Sequence, residues 1–225
     1  MKRPVRWEWA IDPVAFKKSS DIRKHWAKTF ATLGAFPALL MAAGPIEVIL
    51  DTTEGAIRFE LFPDKAPVTV GNFLKYIDSG AFDEGSFYRV TRLDNQVQNA
   101  VKIEVIQGGL LESEISTPFE PIPLERTNAT GLKHRDGTLS MARGDPDSAT
   151  SEFFICINDQ PSLDYGGTRN PDGQGFAAFG KVTNGMDVVR KIQAMKTIPP
   201  DPDKLAYTSG QFLEGPVRFL SFKRN

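Results

Sequence analysis

The sequence is poor in the residues that form crosslinks and bind metals. Its 225 residues include one cysteine, Cys156, and two histidines, His25 and His134. A single cysteine cannot form a disulfide within the chain, and the apolar neighbours of Cys156 predict a buried side chain. Two histidines cannot supply a metal-binding cluster, so we expect no metal.

Motifs of the common enzyme classes are also missing. A Ser–His–Asp triad would have to use His134, which its charged neighbours Lys133 and Arg135 predict to be solvated. The glycine pairs at 108–109 and 166–167 lack the spacing of a phosphate-binding loop or a dinucleotide fingerprint. The sequence therefore disfavours hydrolases, metalloenzymes and dinucleotide-binding enzymes.

Positive charge is not in excess. The chain has 27 lysines and arginines against 28 aspartates and glutamates. The first 44 residues hold eight basic residues against three acidic ones, which leaves 19 basic and 25 acidic residues in the rest. A mildly acidic body lacks the basic face that nucleic acid requires, so we expect no nucleic-acid partner.

No apolar run is long enough for a comfortable membrane span. The apolar segment at 29–43 (TFATLGAFPALLMAA) follows Lys24 and Lys28 and ends in small residues at 42–44. This order of basic, apolar and small residues predicts a signal peptide cleaved near Ala43–Gly44, and hence export to a periplasm. We therefore divide the chain into residues 1–44, a signal peptide or N-terminal extension, and one domain at 45–225. If residues 1–44 are kept, they form a helix that packs on the domain or mediates assembly, and the protein is cytoplasmic.

Many short strands and two helices are predicted after residue 45. The strands fall at 46–50, 56–62, 87–92, 101–107, 138–142, 153–157, 179–182 and 217–222. One helix runs from Pro67 to Gly80, with apolar residues at helical spacing, and another lies at about 185–194. Short strands with glycine and proline turns favour a β-barrel with helical caps over alternating βαβ units.

Three blocks follow one another in a characteristic order: Ser86–Val90 (SFYRV), Ile106–Gly109 (IQGG) and Gly137–Ile157 (GTLSMARGDPDSATSEFFICI). Together they resemble the cyclophilin family of peptidyl-prolyl cis-trans isomerases, and the resemblance covers about Ile46–Phe222. It implies a closed barrel of eight antiparallel strands capped by two α-helices. It also implies that the protein isomerises X-Pro bonds in unfolded or flexible polypeptides, without a cofactor, and so assists folding.

The resemblance assigns roles to individual residues. Arg89 would be the catalytic donor, Gln107 would bind the substrate backbone, and Phe154 would form the floor of the proline pocket. An arginine suits this reaction because it is always protonated and presents a rigid fork of donors. The other residues expected to line the substrate groove are Val105, Ala142, Arg143, Gly144, Glu152, Leu163 and Phe176.

Two departures from the family pattern affect the pocket wall. The separation between Arg89 and Gln107 is longer than is usual, with an insertion at Leu93–Ala100. Glu104 then falls where a pocket phenylalanine is expected, so either Ile103 or Val105 would supply the apolar wall.

Other departures affect specificity. Arg143 and Glu152 replace an asparagine and a glutamine; they either pair with each other or select the residue before proline. Ser162 stands where cyclosporin-sensitive members have tryptophan, which predicts weak or no cyclosporin binding. We expect a monomer that acts on proline-containing polypeptides. The alternative is a cyclophilin-like binding module or chaperone without turnover, which the changes at Glu104, Glu152 and Phe176 suggest.

Overall fold

Eight strands form a closed antiparallel barrel in the part of the chain that the structure describes. This computed structural model describes residues 44–110, 118–201, 203 and 206–225, so the predicted signal peptide, apart from its last residue, lies outside the described residues. The strands are β1 Ile46–Thr52, β2 Gly55–Leu61, β3 Ser86–Thr91, β4 Val105–Gly109, β5 Thr138–Met141, β6 Phe153–Cys156, β7 Ala177–Asn184 and β8 Phe212–Arg224. Their order around the barrel is β1–β2–β7–β5–β6–β4–β3–β8, and β8 pairs with β1 to close it.

Helices account for little of the described chain. They are α1 Pro67–Asp78, α2 Thr127–Thr130 and α3 Met186–Gln193. The predicted barrel and its two longer helices are confirmed, and α2 is a third, single-turn helix that the sequence did not reveal. None of the described helices is long and apolar enough to cross a membrane.

The barrel interior is rich in aromatic rings. Phe73 of α1 packs among them, with its ring centroid 4.9–5.4 Å from those of Phe82, Phe153, Phe179 and Phe222. Tilted and edge-to-face pairs of this kind add to the stabilisation that burial alone provides. The rings bring together α1, β6, β7 and β8, so they join distant parts of the chain.

The start of α1 is stabilised by a distant carboxylate. Its N-cap residue, Ala66, makes no side-chain capping bond. Glu125 instead accepts hydrogen bonds from the backbone N–H groups of Val68, at 3.1 Å, and Thr69, at 2.8 Å. The Thr69 hydroxyl donates to the same carboxylate at 2.6 Å. These bonds place negative charge at the positive end of the helix dipole.

The strand predicted at 101–107 is displaced toward the C-terminus, because β4 covers Val105–Gly109. The reason is the buried side chain of Gln96, which bonds to both backbone groups of Ile103. Its Oε1 accepts from the Ile103 N–H at 3.3 Å, and its Nε2 donates to the Ile103 carbonyl at 2.7 Å. Ile103 therefore has a side chain as its partner in place of a neighbouring strand.

Candidate active site

Four residues lie side by side across four neighbouring strands. Arg89 of β3 is opposite Gln107 of β4, which is opposite Phe154 of β6, and Phe154 is opposite Ser140 of β5. Residues directly opposite in a sheet share one face. Since the adjacent Phe153 points into the barrel core, this face is the outer surface of the barrel. The structure thus brings together all three predicted catalytic residues.

A bulge in β3 places a second side chain at Gln107. The pairing of β3 with β4 shifts between Phe87 and Arg89, which leaves Tyr88 as the extra residue. Gln107 accepts from Arg89 Nη1 at 2.6 Å through Oε1, and it donates to the Tyr88 hydroxyl at 2.8 Å through Nε2. Both ends of the Gln107 amide are therefore held from β3.

Glu152 fixes the direction of this hydrogen-bond chain. The Tyr88 hydroxyl donates to Glu152 Oε2, so its oxygen must accept from Gln107, and the amide oxygen of Gln107 must face Arg89. Burial, followed by the charge of Glu152, raises the pKa of Tyr88 well above its usual value and keeps the hydroxyl protonated. Gly109 is required nearby, because its φ is +150° and a Cβ there would collide with the Glu152 carboxylate.

Arg89 is half-buried and held on two sides. Besides Gln107 it contacts Gln211, whose Oε1 accepts from Arg89 Nε at 2.9 Å and from Nη2 at 2.6 Å. The Tyr207 ring lies 5.9 Å from its guanidinium carbon. Burial is the main cause that lowers the pKa of Arg89, and arginine remains protonated at neutral pH despite such a shift.

A small apolar cluster, separate from the barrel core, adjoins this row at the place predicted for the proline pocket, and it is called the pocket from here on. It consists of the buried residues Ile103, Val105, Phe154, Cys156 and Leu163, with the partly buried Ala142 and Phe176 packed against them. Phe176 meets Phe154 edge-on, with ring centroids 5.4 Å apart. The predicted pocket residues Val105, Ala142, Leu163 and Phe176 therefore do cluster around Phe154.

Both residues that could replace the expected phenylalanine belong to the pocket. Ile103 and Val105 lie in the same apolar cluster. Glu104, between them, is turned away: its carboxylate accepts from Asn158 Nδ2 at 2.9 Å. The acidic side chain therefore does not interrupt the wall.

Arg143 forms its ion pair with Asp172 rather than with Glu152. Its buried guanidinium lies 2.8 Å from an Asp172 oxygen and donates to the Gly175 carbonyl from Nε at 2.9 Å. It also lies over the Phe176 ring, 5.1 Å from the centroid. Arg143 thus supports the Phe176 wall of the pocket. Gly144, next to it in the chain, is exposed.

The prediction that His134 is solvated is wrong. Its side chain is buried, because the segment alternates and only Lys133 and Arg135 point outward. The ring lies 2.8 Å from Asp164 and 2.9 Å from the Ser140 hydroxyl, and it stacks beneath Phe154 with centroids 6.0 Å apart. Ser140 is fully buried, so this triad offers no accessible nucleophile and acts as the support of the pocket floor.

Three contributors to the site were missed from the sequence. Tyr88 lies within the SFYRV block, but a bulge leaves no trace in residue type. Gln211 and Tyr207 reach Arg89 from more than 110 residues away and carry no local motif. In the described ranges no group of three or more His, Cys, Asp or Glu side chains is arranged to hold a metal ion.

The closed barrel, with the row from Arg89 to Phe154 beside an apolar cluster, defines a protein of the cyclophilin class. Comparison with known proteins agrees: the model of the cyclophilin-type peptidyl-prolyl cis-trans isomerase family matches residues 47–207. The chain belongs to this family, and it is accordingly a peptidyl-prolyl cis-trans isomerase.

Bacterial relatives are similar over most of the chain. Peptidyl-prolyl cis-trans isomerase A of Dickeya dadantii is 36% identical over 170 residues, which are 75% of this chain and 82% of the relative. Isomerase B of Escherichia coli is 37% identical over 151 residues, covering 67% and 85% respectively.

A solved cyclophilin-type isomerase from Cryptosporidium parvum shares the fold. It has a TM-score of 0.58 and 22% identity, covering 80% of this chain and 98% of its own. The same protein in the presence of the dipeptide Ala-Pro gives a TM-score of 0.57 and 23% identity, with the same coverage.

Proposed function

We propose that this protein accelerates rotation about X-Pro bonds in unfolded or flexible polypeptides, with Arg89, Gln107 and Phe154 as the groups that act on the substrate. The single observation that carries this proposal is their alignment across β3, β4 and β6, beside a cluster of apolar side chains. A charged donor and an apolar pocket within one groove match the two parts of a prolyl residue that a catalyst must bind.

The chemistry requires no covalent step. Partial double-bond character between the carbonyl carbon and the prolyl nitrogen creates a barrier of about 18–20 kcal/mol. In the twisted transition state this conjugation is lost, so the nitrogen becomes a better hydrogen-bond acceptor. A fixed guanidinium at Arg89 would donate to it more strongly than in the planar ground state, and such differential binding lowers the barrier.

The pocket and Gln107 would hold the substrate while the bond turns. Phe154 would contact the proline ring, with Val105, Leu163 and Phe176 around it. Gln107 would bind the substrate backbone, and Ala142, Gly144 and the segment at Arg143 would align the residue before proline. The Ala-Pro dipeptide used with the C. parvum isomerase has the chemistry that such a pocket would take.

The test is isomerase activity of the full-length chain on an Ala-Pro peptide, with Arg89→Ala as the variant and Arg218→Ala, at an exposed position on β8, as the control. We expect Arg218→Ala to match the wild type. Arg89→Ala should lose on the order of 100-fold or more in kcat/KM, as removal of an electrostatic transition-state donor does.

The competing function, a binding module without turnover, predicts a different result. A folded wild-type protein that binds the peptide but leaves its isomerisation rate unchanged would overturn the enzymatic proposal. The changes at Glu104, Glu152 and Phe176 were the reasons to consider it, and the hydrogen bond from Asn158 to the Glu104 carboxylate argues against the first of them. The proposed physiological role is assistance to folding, since uncatalysed prolyl isomerisation takes tens to hundreds of seconds.

We also propose that residues 1–44 are a signal that directs residues 45–225 to the periplasm. The basic and apolar pattern before Ala43 supports this, as does a family match that begins at residue 47. Intact-mass analysis of the periplasmic fraction should find a chain lacking about 43 residues, and Leu39→Arg should block its export. A full-length chain in the cytoplasm would contradict the proposal.

Weak cyclosporin binding stays a prediction. It depends on Ser162, whose small side chain cannot replace the area of an indole ring. A drug titration in which Ser162→Trp gains affinity would support it, whereas tight binding by the wild type would refute it. The expectations of a monomer and of no required cofactor likewise stay predictions.

A further inference from the structure

Gln211 makes the most extensive contact to the proposed catalytic donor. Its Oε1 accepts from both Nε and Nη2 of Arg89, at 2.9 and 2.6 Å. Together with the bond from Nη1 to Gln107, three of the five guanidinium N–H groups are engaged. The two remaining N–H groups, on Nη1 and Nη2, are left for a substrate.

Gln211 is itself fixed at both its backbone and its side chain. It is fully buried, and its carbonyl accepts from the Val90 N–H of β3 at 2.9 Å. Its side-chain Nε2 donates to the Tyr207 carbonyl at 3.1 Å, so its Oε1 must be the atom that faces Arg89. The acceptor therefore has one orientation before any substrate arrives.

The insertion at Leu93–Ala100 holds the segment that carries Gln211. Gln98 Nε2 donates to the carbonyls of Tyr207, at 2.9 Å, and Ser209, at 3.2 Å. Asn95 Nδ2 donates to the Gly210 carbonyl at 3.2 Å. Amide side chains of the insertion thus replace strand pairing as the support of the turn before β8, and the insertion has a function at the site.

We propose that Gln211 is a positioning residue that orients the Arg89 guanidinium so that its two remaining N–H groups face the prolyl nitrogen. This role rests on the proposed function of Arg89. A guanidinium held at one edge by a single oxygen cannot rotate about Cδ–Nε without breaking both bonds. Fixing the orientation in advance raises the rate of the catalysed step rather than the affinity for substrate. A misplacement of about 1 Å can lower that rate on the order of 100-fold.

The test uses the full-length protein with three substitutions of Gln211 and one control. Gln211→Met keeps the side-chain volume but removes the oxygen that accepts from Arg89. Gln211→Asn shortens the side chain by one methylene and so moves this oxygen away from Arg89. Gln211→Glu keeps an acceptor oxygen at the same distance along the side chain. Gln193→Met is the control, because it loses a hydrogen bond to the carbonyl of Thr91, which lies on β3 as Arg89 does. Denaturation curves establish which variants are folded.

Two readouts test the role of Gln211 separately from the proposed catalytic role of Arg89. The first is the exchange rate of the Arg89 Nε–H proton by NMR, which needs no activity. We expect slow exchange in the wild type, Gln211→Glu and Gln193→Met, and exchange roughly tenfold faster in Gln211→Met and Gln211→Asn, as for the loss of one net hydrogen bond. Unchanged exchange in both would overturn the proposal, even if the enzyme is active.

The second readout is the split between kcat and KM on the Ala-Pro peptide. Gln211→Met and Gln211→Asn should lower kcat about 10–100-fold with little change in KM. Gln211→Glu should restore most of it, and Gln211→Met should have no further effect in the Arg89→Ala background. An equal loss in that background, or a change in KM alone, would overturn the proposal. Full activity of Arg89→Ala itself would instead refute the role of Arg89, while the exchange rates still decide whether Gln211 holds it.

Discussion

Phe153 and Phe154 are neighbours in sequence with different surroundings. Phe153 lies in the barrel core, within 6 Å of the rings of Phe73, Phe82 and Phe87 between centroids. Phe154 faces outward into the pocket, above His134. Alternation along a strand produces this division, because successive side chains point to opposite faces.

We predict that alanine substitutions separate the two roles. Phe153→Ala should lower the free energy of unfolding by about 3–5 kcal/mol, as large-to-small changes of core aromatics do. Phe154→Ala should cost less stability and lower kcat/KM by about 10–100-fold, the equivalent of the ~1.5–3 kcal/mol that a buried apolar side chain contributes. Urea denaturation and peptide kinetics measure the two effects. Equal losses of stability would contradict the assignment of Phe154 to a pocket.

Asp164 provides a test by pH. Burial alone would raise its pKa, but hydrogen bonds from the His134 side chain and backbone, with the charges of His134 and Lys133, lower it below the ordinary value of 3.8. A lowered pKa means that the carboxylate stabilises the folded state above pH 4, and that this stabilisation is lost as pH falls through the folded-state pKa.

We therefore expect Asp164→Asn to destabilise the protein by about 1–2 kcal/mol at pH 7 and progressively less below pH 4. Urea denaturation between pH 7 and pH 2.5 measures the difference. Asp159→Asn is the matched control, since the Arg135 hydrogen bond also lowers the pKa of Asp159 but its side chain is exposed. A wild-type advantage that stays constant across this range would rule out the carboxylate as its source.

At the scale of single residues, the sequence predicted a site residue where that residue belongs to a recognisable motif. Arg89, Gln107 and Phe154 were predicted in order, and their alignment follows from strand pairing. Gln211 could not be predicted, because its contact with Arg89 depends on the path of a turn more than 100 residues away. His134 was predicted wrongly, since two charged neighbours do not determine which way an alternating segment points.

At the scale of single elements, α1 shows how a helix can depend on a residue outside it. The apolar spacing and Pro67 predicted the helix, but not its cap. We predict that Glu125→Ala lowers stability by about 1–2 kcal/mol, the usual effect of losing an N-terminal cap. The exposed Glu120→Ala is the control. The measurement is the urea midpoint at unchanged m-value; equal shifts in the two variants would show that the bonds to Val68 and Thr69 contribute little.

The boundaries of β4 have a similar explanation. Apolar residues from Val101 onward predicted a strand, yet pairing starts at Val105. Gln96 occupies the backbone groups of Ile103, a competition that hydrophobic periodicity does not register. The helix α1, with its strong periodicity, was placed correctly, and so was β3 to within one residue; β4, which follows the insertion, was not.

At the scale of the whole molecule, the barrel closes only through its last strand. β8 pairs with β1, for example Leu50 with Phe222, and with β3, where Phe87 is opposite Val217. These partners are more than 120 residues apart in the chain. The strand β8 also supplies the buried side chains of Leu213 and Phe219. Without it, β1 and β3 would expose unpaired edges and the core would be open on one side.

We predict opposite results for two truncations. A chain of residues 45–225 retains every described strand and helix, so it should unfold in one cooperative transition with the stability of the full-length protein. A chain of residues 1–211 lacks β8 and should show no cooperative transition, because ordering the other strands is no longer offset by burial of the core. Near-ultraviolet circular dichroism during urea titration distinguishes the two. Cooperative unfolding of the chain without β8 would mean that seven strands suffice, and loss of cooperativity in residues 45–225 would mean that the first 44 residues are part of the folded unit.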